Sequence, residues 1–253
     1  MCASGSGTAP PCHSTAAWRP ADQTAPTPVR SYTWDHLEKK SQKVLDLKPA
    51  SGCMLRISDP SGGVKPLKKE KTDMAKSILI LSASLRAGSN SETLANAFAD
   101  GARAAGHTVE VVSLRGKSIA FCRGCLACQT LGRCVIDDDA VAITEKMQHA
   151  DVIVFATPIY YYEMSGQLKT LLDRANALFP SDYAFRGIYL LASATEDEPD
   201  TDERAIHGLE GWIACYEKCH LAGTVFAGGV TEPGAIAGHP ALETARAMGA
   251  AIA

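Results

Sequence analysis

Four cysteines crowd into one short segment of the chain and could bind a metal cluster. They are spaced C-x2-C-x2-C-x5-C, at Cys122, Cys125, Cys128 and Cys134. Three closely spaced thiolates can bind three corners of a [4Fe–4S] cubane, and a fourth slightly further on can bind the last corner. A structural zinc site also takes four thiolates but usually divides them into two separated pairs. Free or redox-active thiols without a metal are the third alternative, and the spacing alone leaves all three open.

A second segment, residues 82–91, has the composition of a phosphate-binding loop. It follows an apolar run and precedes a predicted helix, whose N-terminus offers unpaired N–H groups and a partial positive charge. Arg86 adds a cation, and four side chains can add hydrogen bonds: Ser84, Ser89, Asn90 and Ser91. The segment contains neither G-x-G-x-x-G nor a Walker A motif, which favours a single phosphate monoester. An ordinary helix cap is the alternative interpretation.

A third segment, residues 157–169, could contact a planar ring. Pro158 turns the chain just after a predicted strand. The Tyr160–Tyr162 run offers flat aromatic faces and hydroxyl groups, although at least two of these rings could only pack between helices. Ser193 and Thr195, after a later strand, could line the far side of the same pocket or be plain loop residues.

These segments resemble a known family. The pattern S-x-R-x-x-S-N-S after the first strand is similar to the FMN phosphate loop of the NADPH-dependent FMN reductases, which are flavodoxin-like proteins. The segment from Thr157 to Arg174 is similar to the part of that family that contacts the isoalloxazine ring, and the cysteine spacing resembles the iron–sulfur flavoproteins. The resemblance implies that FMN is bound by Ser84, Arg86, Ser89, Asn90, Ser91, Thr157, Pro158, Ile159, Tyr160 and Tyr161. It also makes the cysteines candidate ligands of a [4Fe–4S] cluster.

Alternating strands and helices must position these segments. Short apolar runs predict strands at 77–83, 108–112, 151–157, 187–193 and 221–227. Amphipathic periodicity predicts helices at 91–105, 138–149, 165–177, 202–219 and 240–252. This alternation predicts an α/β fold, a flavodoxin-like doubly wound five-stranded parallel sheet in a three-layer α/β/α arrangement. In such folds ligands bind beyond the carboxyl ends of the strands, so the loops at 82–92, 113–137, 157–165 and 193–201 are the candidates.

The first part of the chain differs from the rest. Residues 1–73 show little periodicity, and we interpret them as an extension that is disordered or not native to the protein. Met74 directly precedes the first strand, as a start codon would. We therefore expect the FMN-binding domain to span residues 74–253, while a genuine extension remains the alternative.

Composition excludes several other classes of protein. A formal net charge of −3 gives no general attraction to nucleic acid or to anionic membranes. No apolar run approaches the ~20 residues of a membrane helix, and the first residues lack the apolar region of a secretory signal. Crowded cysteines in an α/β sequence favour a cytoplasmic protein over a secreted disulfide framework. Neither G-x-S-x-G nor H-E-x-x-H is present to support hydrolysis.

The expected function is an NAD(P)H-dependent flavin oxidoreductase. FMN would take hydride from NADH or NADPH and pass electrons to a quinone, a nitroaromatic, free flavin or a redox protein partner, and no catalytic side chain is required. The resemblance also implies a homodimer or homotetramer. The rival is an iron–sulfur flavoprotein or flavodoxin-like carrier without its own nicotinamide oxidation.

Overall fold

A parallel β-sheet forms the centre of the protein, whose structure is a computed structural model that describes residues 75–253. The strands are β1 (Ser77–Ser82), β2 (Thr108–Ser113), β3 (Val152–Tyr160), β4 (Glu163–Met164), β5 (Gly187–Ser193) and β6 (His220–Ala227). Five of them pair in parallel in the order β2-β1-β3-β5-β6. This is the flavodoxin-like order, with its switch point between β1 and β3, and it confirms the predicted fold class.

Helices cover both faces of the sheet. They are α1 (Asn90–Ala104), α2 (Ala127–Leu131), α3 (Asp139–His149), α4 (Gly166–Arg174), α5 (Glu203–Ile213) and α6 (Ala241–Ala250). One face is packed by α1 and α6, around Ile80, Leu94 and Phe98. The other face is packed by α3, α4 and α5, around Phe155 and Leu168. Both layers of apolar side chains are removed from water, which is the main stabilising contribution to the fold.

The structure differs from the sequence prediction around the third strand and the fifth helix. Strand β3 continues to Tyr160 and forms a short antiparallel hairpin with β4, so part of the predicted 157–165 loop is regular structure. Helix α5 ends at Ile213, well before the predicted end at residue 219. Tyr216 explains the early end, because it lies beyond the helix and packs edge-on against Phe185 and tilted against Trp212 in an aromatic cluster.

Two further expectations concern the chain as a whole. The predicted extension, residues 1–73, lies outside the described residues. Within residues 75–253, no helix has both the length and the apolar character needed to cross a bilayer.

Candidate functional site

A small polar cleft lies where β1 turns into α1, at the switch point of the sheet. Ser89 is the N-cap of α1, and its hydroxyl oxygen accepts a hydrogen bond of 3.2 Å from the N–H of Glu92. Gly88 precedes the cap with a φ of +63°, a left-handed conformation that glycine adopts without strain. The first N–H groups of a helix have no partner inside it, so Asn90 and Ser91 bring unpaired donors to the cleft.

One buried hydroxyl group in this cleft has no partner. Ser91 is 1% exposed and lines the cleft, and its Oγ makes no hydrogen bond within the described part of the chain. An unpaired buried polar group costs about 1–3 kcal/mol, and native proteins therefore contain few of them. The hydroxyl, the helix N-terminus and a cavity of about 70 Å³ together suit a compact anion such as phosphate.

The cleft brings together residues that are far apart in the sequence. Eight of the ten predicted FMN ligands line it: Ser84, Arg86, Ser89, Asn90, Ser91, Pro158, Ile159 and Tyr160. Ser193 and Thr195 line it as well, from the loop after β5. The loop after β6 contributes Val230, Thr231 and Pro233, which sequence reasoning missed because apolar and small residues there carry no chemical signal.

Asn90 and Arg86 hold the β6 loop against the cleft. The Asn90 amide donates to the carbonyl oxygens of Val230 and Glu232, and its Oδ1 accepts from the N–H of Ile236. Arg86 donates to the carbonyl of Thr231 at 2.9 Å and pairs with the exposed carboxylate of Glu232 at 3.3 Å. An exposed pair of this kind contributes only about 0–1 kcal/mol, so an anion in the cleft can compete for Arg86.

The β3–β4 hairpin places aromatic side chains beside the cleft. Its two turn residues, Tyr161 and Tyr162, both adopt left-handed φ angles, +51° and +65°. Tyr161 is 99% exposed and does not line the cleft. Thr157 does not line it either, since its hydroxyl is buried at the base of the hairpin, where it accepts from the N–H of Ser165 at 3.0 Å and donates to the Pro158 carbonyl.

A larger apolar cleft adjoins the polar one. It has a volume of about 690 Å³ and shares Tyr160 with the polar cleft. Its other lining residues come from the loops after β1 and β2 and from α4, and they include Leu85, Leu114, Ile119, Phe121 and Asp173. Volumes of 300–1,000 Å³ with mainly apolar walls are typical of sites for planar organic ligands.

The four cysteines of the 122–134 segment line one enclosed, mainly apolar cavity. Cys128 is buried on α2, Cys134 is half-buried, and Cys122 and Cys125 are exposed. Two N–H groups point to sulfur: the backbone of Gly124 donates to Cys122 Sγ at 3.4 Å, and the Asn176 amide donates to Cys128 Sγ at 3.3 Å. Asp173 lines this cavity and also the apolar cleft, so the two are neighbours.

The thiols do not converge on a single point. Within residues 75–253, no three His, Cys, Asp or Glu side chains lie close enough to hold one metal ion. The arrangement therefore lacks the closed tetrahedron of a structural zinc site. In a [4Fe–4S] cubane each thiolate binds a different iron, so the four sulfur atoms lie further apart than around a single zinc ion. Thiols that line one cavity without meeting at one point are therefore compatible with a cubane.

Two cysteines outside the loop lie apart from these sites. Cys215 is exposed, and Cys219 is half-buried after the end of α5. Burial raises the pKa of the Cys219 thiol to about 11, which keeps it protonated and unreactive near neutral pH.

Comparison with known proteins identifies the family. The profile of the family described as NADPH-dependent FMN reductase matches residues 77–229, more than half of the chain. The chain belongs to this family. The family supports FMN as the cofactor, and the match spans β1 to β6 with the cleft residues of β3 and of the loops after β1 and β5, but ends before the cleft residues Val230, Thr231 and Pro233.

Individual relatives show which branch of the FMN reductase family this chain resembles. An iron–sulfur flavoprotein of Methanosarcina thermophila is 31% identical over 164 residues, which cover 64% of this chain and 83% of the relative. An iron–sulfur flavoprotein of Archaeoglobus fulgidus is 36% identical over 97 residues, 38% of this chain and 48% of the relative. The chain therefore resembles the iron–sulfur flavoprotein branch of the family.

Solved structures agree with this fold. An NAD(P)H:quinone oxidoreductase from Methanothermobacter marburgensis superposes with a TM-score of 0.54 at 19% identity, covering 70% of this chain and 96% of that protein. An azoreductase from Bacillus anthracis has a TM-score of 0.54 at 18% identity and covers 71% of this chain and all of the azoreductase. At these identities the likeness shows the fold of this FMN reductase family member and no more.

Proposed function

We propose that the polar cleft binds the phosphate of FMN and that the adjoining hairpin supports its ring. The unpaired buried hydroxyl of Ser91 at the N-terminus of α1 carries this proposal, because a phosphate oxygen would satisfy it. Ser84, Ser89 and the first N–H groups of α1 would add hydrogen bonds, and Arg86 would add positive charge. The Pro158–Tyr160 segment lies between the two clefts and would contact the ring.

Bound FMN supplies hydride acceptance from a nicotinamide and release of electrons singly or in pairs. The chain contributes binding, orientation and exclusion of water. The mainly apolar walls of the larger cleft, around Leu85, Ile119 and Phe121, suit a nicotinamide or a planar acceptor such as a quinone, a nitroaromatic or a second flavin. The proposed activity is therefore oxidation of NADH or NADPH with transfer of electrons to such an acceptor.

We further propose that the four loop cysteines hold a [4Fe–4S] cluster. The donor set, four thiols on one short loop with two N–H donors directed at sulfur, suits thiolate-bound iron, whose sulfur atoms accept such hydrogen bonds, and the cavity of about 30 Å³ between the thiols would have to widen to admit a cubane. The cysteine cavity adjoins the apolar cleft through Asp173. This position favours a second candidate function, single-electron exchange with a redox protein partner.

A second copy of the chain would complete the site in this proposal. Leu85, Phe121 and Tyr160, which line the larger cleft, and the next two residues of the hairpin, Tyr161 and Tyr162, are 48–99% exposed. Exposed apolar clusters of this kind are typical of interaction surfaces. A homodimer or homotetramer that covers them would also exclude water from the flavin.

Nicotinamide oxidation separates the two candidate functions. The full-length chain, purified anaerobically and loaded with FMN, is mixed with NADH or NADPH and a quinone, and nicotinamide absorbance is followed. We expect steady oxidation that depends on the quinone, and Ser91→Ala should lower it at limiting FMN. Reduction of the flavin by a chemical reductant without any oxidation of NADH or NADPH would contradict the reductase and leave the carrier.

A further inference from the structure

One buried guanidinium joins the two ends of the cysteine loop. Arg174 is the last residue of α4, and its side chain is 0% exposed. It donates to the carbonyl oxygen of Ala120 at 2.7 Å and to that of Ile136 at 3.0 Å. Ala120 stands two residues before Cys122, and Ile136 stands two residues after Cys134. The segment that carries all four thiols is therefore closed at its base by one side chain.

Asp138 fixes the direction of that side chain. Its two oxygens accept from Arg174 at 2.6 and 2.8 Å in a bidentate pair, and Oδ2 also accepts from the N–H of Ala120 at 2.9 Å. Burial alone would raise the pKa of Asp138, but the hydrogen bonds from Arg174, Ala120 and Ala140 outweigh it and lower the pKa. The carboxylate stays ionised and holds the guanidinium rigidly, which is how bidentate Arg–carboxylate pairs add geometric specificity.

Two donors on this unit are available to sulfur. The Nε–H of Arg174 is buried and has no hydrogen-bond partner among residues 75–253. Arg174, Asn176 and all four loop cysteines line the same cavity. The Asn176 amide already donates to Cys128 Sγ.

We infer that Arg174, oriented by Asp138, is a positioning residue that closes the cysteine loop so that its four thiols face one cavity. Its free Nε–H and the Asn176 amide then donate to the sulfur atoms of a bound cluster. This inference has two halves. The sulfur-donor half, that Arg174 and Asn176 donate to cluster sulfur, rests on the proposed [4Fe–4S] site. The loop-closing half, that Arg174 closes the cysteine loop, concerns the cofactor-free chain. Hydrogen bonds to cluster sulfur stabilise the more negative, reduced state and so raise the reduction potential.

Trypsin tests the loop-closing half on the cofactor-free, full-length chain. Arg123 and Arg133 are exposed inside the loop and are trypsin sites. Arg174→Lys keeps the positive charge and loses the forked contacts, so we expect cleavage at both sites to accelerate about tenfold as the loop opens locally. Arg186→Lys is the matched control, because Arg186 also binds three backbone carbonyls but lies away from the loop. Cleavage unchanged in Arg174→Lys, or equally faster in Arg186→Lys, overturns this half.

Asn176→Leu tests the sulfur-donor half and leaves the Arg174–Asp138 pair intact. On the anaerobically purified chain we expect a more negative midpoint potential of the cluster with iron and acid-labile sulfide unchanged. In Arg174→Lys we expect less than half of the wild-type iron to be retained. If the midpoint potential of the cluster in Asn176→Leu equals that of the wild type, the sulfur donation is overturned. This test does not depend on whether Arg174→Lys folds. A wild-type chain without iron overturns the proposed cluster and this half with it, while the trypsin result still decides the loop-closing half.

Discussion

Replacement of Ser91 by alanine should change the stability of the cofactor-free chain and its affinity for FMN in opposite directions. In the cofactor-free chain the Ser91 hydroxyl is buried without a partner, at a cost of about 1–3 kcal/mol. Alanine removes that cost but leaves a cavity about the size of one oxygen atom, which lowers the free energy of unfolding by about 1 kcal/mol. We therefore expect the free energy of unfolding to rise by roughly 0–2 kcal/mol.

The effect on FMN binding follows from the same hydroxyl. A hydrogen bond to a charged group such as phosphate contributes about 1.5–3 kcal/mol. Since 1.4 kcal/mol corresponds to a factor of ten, the Kd for FMN should increase about 10- to 150-fold. No other residue of the cleft needs to move, because Ser91 lies in the first turn of α1 and its backbone N–H remains in place.

Two measurements on the full-length chain check this prediction. Quenching of flavin fluorescence during titration gives the Kd, and urea denaturation of the cofactor-free chain gives the free energy of unfolding. Thr144→Val is the matched control, because Thr144 is also a buried hydroxyl without a partner within the described residues but lies on α3, away from the cleft. A Kd within twofold of wild type in Ser91→Ala, or an equal loss in Thr144→Val, would refute the assignment of the phosphate to this cleft.

Three further predictions concern the turn, the buried ion pair and one thiol. Replacing Tyr161 and Tyr162 by Asn and Gly should raise the free energy of unfolding by about 2 kcal/mol, because left-handed φ angles cost about 1–2 kcal/mol at residues other than Asn and Gly. Urea denaturation measures this change, and a lower stability of the variant would show that the two tyrosines are not strained. Because the pKa of Asp138 is lower in the folded chain than in the unfolded one, the ionised carboxylate stabilises the fold. This contribution is fully present above the unfolded pKa of about 3.9 and is lost as the pH falls through the pKa of the folded chain. Asp138→Asn should therefore cost about 3–5 kcal/mol at neutral pH and flatten the acid side of the stability profile, whereas an unchanged profile would count against the pair. Burial raises the pKa of the Cys219 thiol to about 11, so Cys219 should react with iodoacetamide roughly tenfold more slowly than the exposed Cys215 at mildly alkaline pH, as quantified by mass spectrometry, and equal rates would show that it is not shielded.

The sequence was sufficient to predict the sheet and most of the polar cleft. Buried parallel strands are continuous apolar runs, and amphipathic helices repeat at a fixed period, so both can be recognised locally. The cleft followed from position, because a Ser- and Asn-rich turn after the first strand of such a fold lies at the switch point. Ser91 could be named as a candidate, but its burial and its lack of a partner are visible only in three dimensions.

Other features depend on contacts between distant residues and could not be predicted. Arg174 ends an amphipathic helix, and the sequence gives no sign that its guanidinium reaches carbonyls 38 and 54 residues away. Asn90 is predicted to bind the cofactor, and it lines the cleft, but the sequence does not indicate that its amide also holds the loop after β6. Tyr161 and Tyr162 lack the Asn or Gly that usually mark a two-residue hairpin turn, so local sequence did not predict the β3–β4 hairpin.

The composition of the anaerobically purified full-length chain decides whether it holds both FMN and a [4Fe–4S] cluster. Protein, FMN, iron and acid-labile sulfide are quantified on the same sample, with Cys128→Ser and the loop-independent Cys215→Ser prepared in parallel. We expect FMN in an amount about equal to the chain, with about four iron and four sulfide that are lost in Cys128→Ser and kept in Cys215→Ser. FMN without iron would remove the cluster and leave a simple flavin reductase. A chain that neither contains FMN nor binds it on addition would show that the polar cleft is not a flavin site.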